Sequence, residues 1–66
     1  MNLIQLIHEI ADHAERSKVP LHIIFMDAEF TPMQCINEIT GNTYRYNSFN
    51  WSYEYESSTG KFEINF

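Results

Sequence analysis

At 66 residues the chain holds one domain, near the lower size at which a core sustains a fold without a disulfide or a metal. Nine Asp and Glu against four Lys and Arg give a net charge of −5, the wrong sign for a protein that neutralises nucleic-acid phosphates. The hydrophobic fraction of 44% argues against disorder, and the lone Cys35 excludes an internal disulfide and a multi-cysteine zinc site.

A single cysteine fits a reducing compartment, so the expected location is cytoplasmic. Residues Met1 to Glu9 lack the basic start and unbroken apolar run of a secretion signal, and no stretch has the length of a membrane span. Neither export nor membrane insertion is expected.

Leu3, Leu6, Ile7, Ile10, Ala11 and Ala14 recur with a helical period, with Gln5, Glu9, Asp12 and Arg16 opposite them. Asn2 with Gln5 resembles a capping box, and Pro20 forbids continuation, which predicts a helix from residue 3 to about Ser17. Leu21 to Met26 is a short apolar run rich in β-formers and closed by Asp27, so it reads as a strand. Its alternation is weak, which predicts cover on both faces. Thr31-Pro32-Met33-Gln34 supplies a hydroxyl cap, a proline at the first helical position and a second capping box, and Gly41 is placed to end a helix over about 32–40.

In the last third, Tyr44 and Tyr46 alternate with polar residues, and the parity then flips to Phe49, Trp51, Tyr53 and Tyr55. A two-residue turn at Asn47-Ser48 accounts for the flip, pairing Tyr46 with Phe49 and Tyr44 with Trp51. A four-residue loop, Ser57 to Gly60, then sets Tyr55 opposite Phe62, Tyr53 opposite Ile64 and Trp51 opposite Phe66. The same register opposes Glu56 to Lys61 and Glu54 to Glu63. The expected fold is α+β, a single compact domain over 1–66 in the order α-β-α-β-β-β, with a mainly antiparallel sheet and the helices packed on its aromatic face.

Catalytic and metal motifs are sparse. His8 and His13 bracket Glu9, but a spacing of five turns the two rings about 140° apart on a helix, so they cannot share one ion. They read instead as surface residues, His8 near Asp12 and His13 near Glu9, with His13 at the edge of the apolar stripe. His22 reads as a hydrogen-bonded structural histidine; its catalytic alternative is a base beside Cys35. Cys35 lies among Met33, Ile36 and Ile39, the setting of a buried, inert thiol. With only Gly41 and Gly60, both at turns, no glycine-rich phosphate loop exists. No catalytic residue, cofactor or metal is assigned.

The aromatic stripe has the form of a base-stacking platform, yet the helices need an apolar surface to cover, and no RNP-like sequence or basic set accompanies it. Glu54, Glu56 and Glu63, flanked by Asn50, Ser52 and Asn65, define an acidic polar plane suited to a basic protein surface. The expected function is therefore non-catalytic: a stoichiometric inhibitor or regulator, for which anti-CRISPR proteins, antitoxins and immunity proteins of phage or bacteria have the matching physical requirements. Direct nucleic-acid binding is not expected. The alternatives are a homo-oligomer, such as a homodimer paired through edge strands or a helix face, and a Cys35–His22 enzyme.

Overall fold

Asn2 starts the first helix, α1 (Leu3–Ser17): its side chain accepts from the Gln5 backbone N–H at 2.8 Å, and the Gln5 side chain accepts from the Asn2 N–H at 3.0 Å. The computed structural model describes residues 2–48 and 50–66. Lys18 ends α1 in the left-handed region, with φ 57°, and its N–H reaches the Ala14 and Glu15 carbonyls. Leu3, Leu6, Ile7, Ile10 and Ala14 form the buried stripe of α1, as the period predicts, while Ala11, expected with them, is half-buried.

After Pro20 the chain enters β1 (His22–Phe25), then turns at Met26 and Asp27 into β2 (Ala28–Phe30). Thr31 caps α2 (Pro32–Gly41) through a second capping box with Gln34. A short helix, α3 (Thr43–Ser48), leads to β3 (Ser52–Glu56) and β4 (Lys61–Asn65). The four strands form one mixed sheet in the order β2-β1-β4-β3: the two hairpins are antiparallel, and β1 runs parallel to β4.

The α+β class stands, and two of its expected details are corrected. The element order is α-β-β-α-α-β-β, because Ala28–Phe30 forms an edge strand and the segment expected as a strand around Tyr44 and Tyr46 is helical. Asn42 donates its N–H to the Ile39 carbonyl, Tyr46 donates to Asn42, and the Thr43 hydroxyl donates to the Thr40 carbonyl at 3.0 Å, which carries the coil onward past Gly41. Residues two apart on a helix face nearly opposite ways. Tyr46 accordingly turns inward, 3% exposed, while Tyr44 is 88% exposed. The turn expected at Asn47-Ser48 is thus replaced by helical backbone, and Phe49, its partner in that expectation, lies outside the described residues. The sheet is mixed rather than mainly antiparallel, since β4 returns to lie beside β1.

Register in the last hairpin follows the sequence pattern for Tyr53 opposite Ile64, Tyr55 opposite Phe62, Glu54 opposite Glu63 and Glu56 opposite Lys61, but the ladder stops at Ser52 opposite Asn65, so the expected Trp51–Phe66 pair is not part of it. Ile23, Phe25, Phe62 and Ile64 point to one side, where they meet Leu3, Leu6, Ile7 and Ile10 of α1 and Cys35 and Ile39 of α2 in a single core. Phe25 is its aromatic centre, with the rings of Phe30, Tyr46 and Phe66 each within 5.6 Å, centroid to centroid. Gly60, at φ 78°, packs so tightly against the loop after α1 that a Cβ there would sit 1.9 Å from the Pro20 carbonyl oxygen. Its own carbonyl accepts from the His22 N–H at 2.9 Å, joining the start of β4 to the start of β1.

Candidate protein-binding face

Side chains of a strand alternate between faces, so the residues that do not enter the core share the other side of the sheet. Register assigns them to rows across the strands. One row runs Glu29, Ile24, Glu63, Glu54 from β2 to β3, and the next runs His22, Lys61, Glu56. Ser52 opposes Asn65 beyond the first row. All three helices contribute to the core side, so among the described residues no helix covers this face, and the expected cover on both sides of β1 is corrected: Ile24 is half-buried and His22 exposed.

Glu54, Glu56 and Glu63 are therefore brought together on one surface, with Ser52 beside them. Asn50 is exposed but precedes β3, so the ladder does not set its direction. The ionisable side chains on the face are four carboxylates, one lysine and one histidine. Lys61 Nζ lies 3.7 Å from Glu63 Oε2, and the Ser58 hydroxyl donates to Glu56 Oε1 at 3.1 Å. Glu54 and Glu63 stand opposite each other, an unfavourable pairing on an antiparallel ladder. Like charges side by side on an open surface give it a negative potential.

Glu29 and His22 were not assigned to this face from the sequence. Glu29 arrives on the unforeseen β2, where its Oε1 lies 2.7 Å from His22 Nδ1. Locating it required the two-residue turn at Met26-Asp27, which lacks the Asn-Gly or Asp-Gly pair that announces such a turn. His22 does have a hydrogen-bonded partner, and that partner is Glu29 rather than Cys35. It alternates with the buried Ile23 and so points away from the core that holds Cys35. Cys35 is fully buried, and burial pushes its thiol up to about 11, so it stays neutral near pH 7.

His13 packs edge-on against Tyr55, with ring centroids 5.7 Å apart, and its Nε2 lies 3.5 Å from the Ser17 hydroxyl. Its expected neighbour was Glu9. Among the described residues no group of three or more His, Cys, Asp or Glu is arranged to hold a metal, and no helix is long and apolar enough to cross a membrane. A cleft of about 440 Å³ opens at the β1–β2 turn, lined by Met26, Asp27, Arg45, Tyr46 and Phe66. There the Tyr46 hydroxyl donates to Met26 Sδ at 3.3 Å and lies 3.4 Å from Glu38 Oε1.

The aromatic stripe divides. Tyr46 and Phe62 are buried, Trp51 and Tyr55 are half-buried against the core, and Tyr53 and Phe66 remain about half exposed at 47% and 48%. Only part of the stripe is thus core, since Tyr44 also stays out at 88% exposed, and Phe49 lies outside the described residues. Comparison of the chain with protein-family models, with curated proteins and with solved structures finds no match.

Proposed function

We propose that the chain is a non-catalytic binding protein, a stoichiometric inhibitor or regulator that seats its open acidic face on a basic surface of a larger protein. The observation that carries this reading is the row Glu29, Ile24, Glu63, Glu54, which places three carboxylates across the uncovered side of the sheet, with Glu56 in the next row. Charge of this sign steers encounter with a cationic patch and orients the complex. Enzymes that handle nucleic acids carry such patches to bind phosphates, which makes them the partner class of matching chemistry, as for anti-CRISPR proteins, antitoxins and immunity proteins. The setting is a reducing cytoplasm, where Cys35 remains a thiol.

Affinity capture from the host at low and high salt, followed by kinetic binding to the recovered protein, tests this. Replacing Glu54, Glu56 and Glu63 together by Gln slows association and flattens its salt dependence. Equal association rates for the two proteins across the salt series would remove the acidic face as the contact. The second reading is a homodimer, favoured by the unpaired outer edge of β3 among the described residues; mass in solution separates it from the first.

A further inference from the structure

The sheet ends on two edges of unequal character. β2 spans three residues, is followed directly by the Thr31 cap and Pro32, and lies against α2, all of which blunt an edge. β3 spans five residues, Ser52 to Glu56, and among the described residues no strand lies beyond it. An edge strand keeps alternate N–H and C=O groups free of ladder partners along its outer side. β3 also presents two different faces at that edge: Glu54 and Glu56 on the open side, Tyr53 and Tyr55 on the core side, with Tyr53 half exposed and its ring 6.4 Å from Trp51.

We infer that the outer edge of β3 accepts an extended segment of a partner protein as a fifth strand, one whose alternate residues are basic toward Glu54 and Glu56 and apolar toward Tyr53 and Tyr55. This rests on the acidic-face reading and adds to it the form of the partner. Main-chain hydrogen bonds supply affinity in such strand addition, and the alternating side chains supply selectivity. Charge decides between a foreign strand and a second copy. An antiparallel copy centred on Glu54 sets that carboxylate against itself, and one centred on Tyr55 sets Glu54 against Glu56. Centring on Tyr53 avoids both clashes only by drawing Asn50, which lies outside β3, into the ladder. A strand bearing Lys or Arg at every second position meets carboxylates instead, next to Glu63 in the adjoining strand.

The probe is a blocked heptapeptide alternating Lys with Val, titrated into the full chain and followed by Trp51 fluorescence and backbone amide shifts. Binding with shifts concentrated on residues 52–56, and slowed amide exchange there, is the expected result. Two N-methylated versions, one carrying the methyl groups on the Lys residues and one on the Val residues, retain charge and remove opposite sets of edge hydrogen bonds. One of them loses about tenfold or more in affinity while the other binds like the parent. Equal binding by both, together with weakened binding to the Glu54, Glu56 and Glu63 to Gln variant, overturns strand addition and leaves the acidic face intact. No binding by the parent peptide also overturns strand addition, as does dimerisation of the chain through β3. Binding indifferent to both salt and the Gln variant removes the acidic-face reading itself.

Discussion

Between β1 and β2 the chain reverses in two residues, Met26 and Asp27, at φ 52° and 62°, whereas between β3 and β4 it takes four, ending on Gly60 at φ 78°. Both turns need left-handed backbone. The first places it on residues whose Cβ makes it costly, and holds it with tertiary support: the Tyr46 hydroxyl on Met26 Sδ, and Phe25 packed among Phe30, Tyr46 and Phe66. The second places it on the residue type that adopts it freely, then uses the missing Cβ to bring the backbone against Pro20. One hairpin is strained and therefore improvable. The other is relaxed and brittle.

The sharpest break falls on the brittle hairpin. Gly60→Ala forces a Cβ into the Pro20 carbonyl and also strains φ, and is expected to cost roughly 3 kcal/mol or more, a large part of the stability of so small a domain. Urea unfolding measures it; a loss under about 1 kcal/mol would mean that the loop after α1 yields easily. In the strained hairpin the direction reverses. Installing Asn at Met26 and Gly at Asp27 supplies the pair that favours this turn, and should raise stability by about 1 kcal/mol, net of the lost Tyr46 contact. A neutral or negative shift in the unfolding midpoint would show that the Met26 side chain matters more than its backbone. The smallest effect lies on the ladder of the second hairpin, where Glu54→Gln relieves the opposition to Glu63 and should stabilise by a few tenths of a kcal/mol, less at high salt.

The same contrast explains what could be read in advance. The β3–β4 register was legible because polar and aromatic residues alternate strictly and Gly60 marks the loop end, so Glu54, Glu56 and Glu63 could be assigned to one face. Both capped helices were legible for a similar reason: Asn2 with Gln5 and Thr31 with Gln34 are local chemistry. β2 was not, because Ala28-Glu29-Phe30 is too short to show a period and Met26-Asp27 lacks the residues that announce a two-residue turn. Tyr44 and Tyr46 misled because a spacing of two is satisfied by a strand and equally by a helix with one ring in and one out. The parallel pairing of β1 with β4 has no local signature. With β2 went Glu29, and with the parallel pairing went the rows that join Glu29 and Ile24 to Glu63 and Glu54.

That parallel pairing also sets the order in which the molecule can assemble. β4 follows β1 only after β2, α2, α3 and β3 and is an inner strand of the sheet, so β1 and its short partner β2 have only one another until β4 arrives. Joining β1 to β4 closes a loop that contains β2, both later helices and β3, and the entropy of that closure precedes most of the contacts that repay it. The rate-limiting step of folding should therefore be the docking of the preformed β3–β4 hairpin onto β1. Substitutions at Ile23 and Phe62, which face each other across that pair, would slow folding, while changes in the β1–β2 turn would chiefly alter unfolding.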